Sequence, residues 1–245
     1  LGTITDEDCY VKKTIGATGT EAEKAAEKQN FANWYSYYRT RLMMAKAGIS
    51  RTFAQLSTSP RVGYGRINSG SNNIDGVNLN TIEKGVRTFS GTDRTNFFNW
   101  LFQRTGGSST PLRRALDSAG KYYTNEATNG PWSTTPGTSG GSLLACRPSY
   151  TILVTDGYWN GDEAGTPAAR TNNDGTDGLE IVAPDGAKLA YKADPPFKDG
   201  FSNTLADVAM YYWKRDLCPA IENKVPTSPT DPAFWQHMVT YGIAL

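Results

Sequence analysis

Two oxygen-bearing side chains stand where a chain leaving regular structure would present them to a ligand. Thr110 precedes Pro111-Leu112 at the start of an expected helix, and Asp156 directly follows the run Tyr150-Thr151-Ile152-Leu153-Val154-Thr155. A hydroxyl and a carboxylate are hard oxygens, suited to Mg2+ or Ca2+. Taken singly, each also has a plainer role. A threonine ahead of a proline-led helix is an N-cap, and Asp-Gly after a strand is a turn. Tyr158, Trp159 and Asn160 follow at once and would rim a site at Asp156; they are an adhesive aromatic patch if exposed and core if packed. Asn172–Gly178 has the acidic, glycine-containing look of a calcium loop. It lacks the distal bidentate Glu of an EF-hand, Glu180 being too close, so a solvated turn is expected there. His237 is the single histidine, and no Gly-x-Ser-x-Gly elbow accompanies it, so a structural histidine is expected rather than a hydrolase base. Cys9, Cys146 and Cys218 match no zinc spacing. They are either three thiols in a reducing compartment, or one disulfide and an orphan whose partner lies outside these residues.

The elements that must position these groups alternate along the chain. Thr20 and Glu23 fit a capping box at the head of one long helix, Glu21 to Leu56. Phe31, Trp34, Tyr35, Tyr38, Leu42, Ala45, Ile49 and Phe53 recur along it at spacings of three and four, the mark of a core-facing stripe. A strand is expected over Arg61–Asn68, a polar loop over 69–80, a short strand over Gly85–Phe89 and helices over Asp93–Phe102 and Thr110–Tyr123. Pro148–Thr155 reads as the clearest buried strand. Leu179–Val182 and Ala187–Tyr191 read as a hairpin across Pro184-Asp185-Gly186. A helix over Leu205–Leu217, a helical turn over Asp231–Gln236 and a buried strand over His237–Leu245 complete the pattern. Strand–helix alternation implies a mostly parallel sheet flanked by helices, with long loop insertions.

Composition narrows the function classes. The 245 residues carry 25 Lys+Arg against 24 Asp+Glu, a net charge of +1. Without a basic excess, a nucleic-acid partner is not expected. Mean hydropathy is -0.51 and no run of eighteen apolar residues occurs, so no membrane span is expected. The start at Leu1, without Met or a leader, fits a processed or truncated product. The Tyr, Trp, Asn, Thr and Ser content of the loops leans towards an exported protein.

The order of helix, strand Arg61–Asn68, Thr110-Pro111-Leu112, strand Tyr150–Thr155 with Asp156-Gly157, and final strand resembles the von Willebrand factor A fold. More specifically, the blocks Gln29–Lys46, Asp93–Phe102, Thr110–Leu116, Tyr150–Gly161, Phe197–Trp213 and Asp231–Met238 resemble the N-terminal domain of PilY/PilC-type adhesins at type IV pilus tips. The resemblance implies a metal-ion-dependent adhesion site in which Thr110 and Asp156 match two of three loops. The first loop, Asp-x-Ser-x-Ser, and the central first strand that carries it are absent from the sequence. Residues 1–245 are thus expected to be one domain truncated upstream, with 1–20 the tail of an insertion. Mg2+ or Ca2+ is implied for the complete domain and possible absence of metal for this stretch alone, since two ligands hold Mg2+ poorly. The family's own propeller-like domain is not in these residues. The resemblance also implies a non-enzymatic role in pilus assembly, adhesion and surface sensing. The implied partners are minor pilins and a host-cell or abiotic surface ligand, at the cell surface after export. A carbohydrate-binding module, or a structural domain with a degenerate metal site, is the alternative. In a parallel α/β layout Cys146 and Cys218 fall at one pole, which makes a Cys146–Cys218 disulfide reasonable; Cys9 would then pair upstream, and Cys9–Cys146 is the rival.

Overall fold

The structure, a computed structural model, describes residues 11–107 and 109–244. The chain divides into two compact units, Leu1–Gln55 and Leu56–Leu245. Cys9 lies outside the described residues, and with it both pairings suggested for it.

The first unit holds α1 (Glu21–Tyr37) and α2 (Arg41–Ala54). The capping box forms as expected: the Thr20 hydroxyl accepts from the Glu23 amide, and the Glu23 carboxylate accepts from the Thr20 amide at 2.7 Å. The single helix expected over this stretch is broken at Tyr38–Thr40. Thr40 adopts extended backbone and accepts from the Met43 amide, so it starts a second helix rather than continuing the first. Of the stripe expected to be core, Tyr38, Leu42, Ala45, Ile49 and Phe53 are partly buried, whereas Phe31, Trp34 and Tyr35 stay about half exposed and contact one another. A unit of two short helices offers too little opposing surface to bury three large rings.

In the second unit, β1 (Arg61–Gly65) pairs antiparallel with β4 (Ile82–Thr88), and β2 (Asn72–Ile74) with β3 (Val77–Leu79). The polar loop expected over 69–80 is therefore a hairpin. Asp75 and Gly76, both at positive φ (53° and 91°), make its two-residue turn, the dipeptide that such turns favour. α3 (Gly91–Phe102) and α4 (Leu112–Tyr123) follow, then β5 (Ser149–Thr155), a 3-10 turn at Pro167–Arg170, and the short β6 (Ile181–Val182) and β7 (Lys188–Leu189). The last two pair as the expected hairpin across 184–186. α5 (Leu205–Trp213) and β8 (Met238–Ala244) end the described chain, whereas Asp231–Gln236 forms no helical turn.

β5 and β8 run parallel in register from Ser149↔Met238 to Thr155↔Ala244. Here the expectation of one mostly parallel sheet needs correction. Among the described residues the strands form four two-stranded sheets, only one of them parallel, and β1 does not share a sheet with β5 and β8. Among the described residues no strand pairs with both β1 and β5 to join the two sheets. Nor are β5 and β8 buried throughout: Tyr150, Ile152, Tyr241 and Ile243 are each close to half exposed.

The core forms where α4 meets α5 and the start of β8, through Leu116, Ala119, Val208, Tyr212, Leu217 and Met238. α4 buries most of its surface, and Gly120 permits this: a Cβ there would stand 2.3 Å from the Tyr212 ring. Among the described residues, no helix is long and apolar enough to cross a membrane.

Candidate functional site

The parallel register puts the carboxyl ends of β5 and β8 side by side, and open α/β sheets place ligands at that end. Asp156 leaves β5 there, exposed, with Gly157 at φ 135° turning the chain. Thr110 is drawn to the same loop by a two-way clamp. Its amide donates to Asn160 Oδ1 at 2.7 Å, and the Asn160 amide donates back to the Thr110 carbonyl at 3.1 Å. Asn160, expected on an adhesive rim, thus spends its side chain bracing the site. Thr110 caps nothing: α4 opens at Leu112 behind Pro111, and the Thr110 hydroxyl makes no hydrogen bond to a described residue. Tyr158 is 94% exposed and Trp159 44% exposed, so the rim aromatics face solvent rather than core.

Three arginines surround this pole. Arg114 pairs with Asp162 and donates to Asn68 Oδ1 at 3.1 Å. Arg170 pairs with Glu163 at 2.9 Å. Arg113 donates to the Asn203 carbonyl at 2.8 Å, and its guanidinium lies 5.8 Å from the Trp159 ring centroid. Asn203, held at φ 60°, donates to Glu163 Oε1 at 2.6 Å and so ties the head of α5 into the same network. Sequence reasoning passed over Arg113 and Arg114 because charges in the first turn of a helix look like a solvated face.

As metal ligands, Thr110 and Asp156 have the right donor chemistry, an unbonded hydroxyl and a carboxylate at a strand end. Among the described residues, however, no group of three or more His, Cys, Asp or Glu side chains is assembled to hold an ion. In donor chemistry alone they suit such an ion, and most of an octahedron would be left to other donors.

The calcium-like loop has a different occupant. Lys214 Nζ donates to the Asn173 carbonyl (2.7 Å), the Thr176 carbonyl (2.9 Å) and the Thr176 hydroxyl (2.9 Å), filling the loop with an ammonium. Burial lowers the Lys214 pKa. Asn173 and Asp174 are buried, so this is not the solvated turn expected. Asp174 Oδ2 has no hydrogen-bond partner, and burial, with Asp207 and Asp199 nearby, raises the carboxyl's pKa.

His237 is buried and bonded through both ring nitrogens. It is 1% exposed, with Nδ1 2.7 Å from the Trp235 carbonyl and Nε2 2.9 Å from Asp231 Oδ2. Cys146 and Cys218 do fall at one pole: Gln236 Nε2 donates to the Ala145 carbonyl, and the Leu217 amide donates to the Gln236 carbonyl, each at 2.7 Å. They are nevertheless free thiols, and the disulfide expected between them is not formed. Cys218 packs into the core while Cys146 is exposed; burial, then Glu126 and Asp216, pushes the Cys218 thiol up to about 12. Sequence reasoning also missed Asp117, buried on the apolar face of α4. Its Oδ1 accepts from Tyr212 Oη (2.8 Å), and its Oδ2 accepts from the amides of Gly165 (2.9 Å) and Thr166 (3.2 Å). The signal was present as an acid amid Leu112, Leu116 and Ala119.

A chain with five helices, short sheets, one parallel strand pair and a braced loop cluster at the carboxyl end of β5 belongs to the mixed α/β class. Comparison with known proteins supplies the family. The chain is 38% identical over 258 aligned positions to type IV pilus biogenesis factor PilY1 of Pseudomonas aeruginosa strain PAK, covering 99% of this chain and 21% of that protein. It is 36% identical to PilY1 of strain PAO1, over 98% of this chain and 21% of that protein. Against PilY1 of strain UCBPP-PA14 the identity is 34%, over 90% of this chain and 19% of that protein. The chain is a PilY1-type domain, spanning about one fifth of the length of these relatives. No family model matches it, and no solved structure matches it.

Proposed function

We propose that this domain is the von Willebrand factor A-like, ligand-facing part of a pilus-tip factor, serving pilus biogenesis, attachment and surface sensing without catalysis. The observation that carries the reading is the Thr110–Asn160 clamp, which joins the head of α4 to the loop leaving β5 beside Asp156. In this reading Thr110 and Asp156 give two oxygens to Mg2+ or Ca2+, and the remaining ligands come from outside these residues, on a strand that inserts between β1 and β5. The edge of β5 away from β8 supports that insertion, because among the described residues no strand pairs with it. The ion would act as a Lewis-acidic anchor for an acidic group on the partner. Minor pilins and a host-cell or abiotic surface are the partners, and the location is the cell surface after export.

Calorimetric titration of Mg2+ and Ca2+ into the full-length protein tests this. Thr110→Ala and Asp156→Ala are expected to weaken binding by roughly tenfold or more, the scale of losing a group that shapes a metal shell. An unchanged isotherm in both variants would remove the two residues from any metal site. The exposed Tyr158 and Trp159 also favour a carbohydrate-binding reading; glycan binding that survives chelation would favour it over the metal site.

A further inference from the structure

Around the carboxyl end of β5, two acids are already paired with cations. Asp162 is taken by Arg114, and Glu163 by Arg170 and Asn203. Arg113 has no ion pair with any described residue. One of its terminal nitrogens is held by the Asn203 carbonyl, which fixes the guanidinium, and its Nε is buried without an acceptor. The guanidinium stands over Trp159, next to the almost fully exposed Tyr158. A partly buried cation without a counter-ion is costly, and an arginine offers a planar fork matched to a carboxylate. Arginine beside tryptophan and tyrosine is also the composition of energetic centres in interfaces.

We propose that Arg113 is the specificity-determining residue of this rim and that it captures a carboxylate on the partner surface, with Trp159 and Tyr158 covering the apolar part of the contact. The proposal rests on the reading of this pole as ligand-facing. It does not depend on the metal: the positive charge comes from the chain itself. Because Glu163 is bonded to the same Asn203 that holds the guanidinium, a single carboxylate suits the site better than a dense polyanion.

The test uses the full-length protein passed over gold surfaces carrying carboxyl-terminated, methyl-ester-terminated or hydroxyl-terminated monolayers, with a chelator present. The wild type should be retained on the carboxyl surface roughly tenfold more strongly than on the other two, as a hydrogen bond to a charged group allows. Arg113→Gln should erase that preference, Arg113→Lys should keep part of it, and Trp159→Ala should weaken retention on all three surfaces alike. Equal retention of the wild type on ester and carboxyl surfaces overturns the proposal without any variant. A preference that survives Arg113→Gln in a folded protein overturns it as well. If Trp159→Ala lowers retention while Arg113→Gln does not, the rim stands and the carboxylate assignment falls. Retention on none of the surfaces removes the ligand-facing reading itself.

Discussion

At the scale of single residues, the polar groups that matter most to the fold are buried acids rather than the exposed ones nearest the site. Asp117 fixes Tyr212, the loop at Gly165 and, through a 3.1 Å ion pair, Lys121. Next to it, Gly120 lets the Tyr212 ring lie against the helix. Gly120→Ala would push a methyl group into that ring and is expected to cost about 1–3 kcal/mol, the range for overpacking a core. A denaturant midpoint shift worth under about 0.5 kcal/mol, the scale of a neutral surface change, would mean the ring yields freely. Asp174 behaves in the opposite sense. Its carboxyl is raised by burial and by Asp207 and Asp199, so the folded state holds its proton more readily than the unfolded chain. Stability is therefore higher below the unfolded carboxyl value and lost as pH rises through the folded one. Asp174→Asn should stabilise the protein at neutral pH and make little difference in acid; thermal melts across that range would show equal curves if the assignment is wrong. The places of Thr110 ahead of α4 and Asp156 after β5 were legible because strand ends and proline-led helices announce themselves. Lys214 and Asp117 could not be assigned, because their roles depend on loops that meet them from 38 and 48 residues away.

Helices and strands show where local pattern suffices and where it fails. Both capping boxes follow from local sequence, since a hydroxyl and an acid three residues apart need only each other. At the head of α5 the second of these also reaches outward: Asp207 Oδ2 accepts from the Thr204 amide at 2.9 Å, while its Oδ1 accepts from the Asn173 amide at 2.7 Å. Thr204→Ala is expected to cost about 1 kcal/mol as a lost N-cap. Hydrogen exchange should then quicken in the first turn of α5 and in the loop around Asn173 together; quickening in α5 alone would mean the loop is held by other contacts. The β2–β3 hairpin was signalled by Asp75-Gly76 but hidden by flanking strands of three residues each, too short for alternation to show. The break between α1 and α2 escaped notice for another reason. An apolar stripe continues across it, and periodicity does not register a threonine that caps from within.

For the molecule as a whole, alternation of strands and helices gave the mixed α/β class, and the quoted blocks gave the PilY-type family. Sheet continuity was not legible, because alternation along the chain does not say which strands pair. Ile152 sits opposite Tyr241 on a half-exposed apolar face of the β5–β8 pair. That face should bind a hydrophobic dye in the 245-residue chain. The paired change Ile152→Thr and Tyr241→Thr should reduce the fluorescence while leaving cooperative unfolding in place; an undiminished signal would locate the dye elsewhere.

The parallel course of β5 and β8 has a mechanical corollary. Because both strands point the same way, the backbone departs from β8 at the end where Trp159 and Arg113 stand. Tension between a captured surface and whatever follows β8 would enter and leave at one pole. The force path would cross the Thr110–Asn160 clamp, the last rungs of the strand pair and, through Arg113 and Asn203, the heads of α4 and α5. A tug would therefore load the grip and the helix heads that hold it at the same moment.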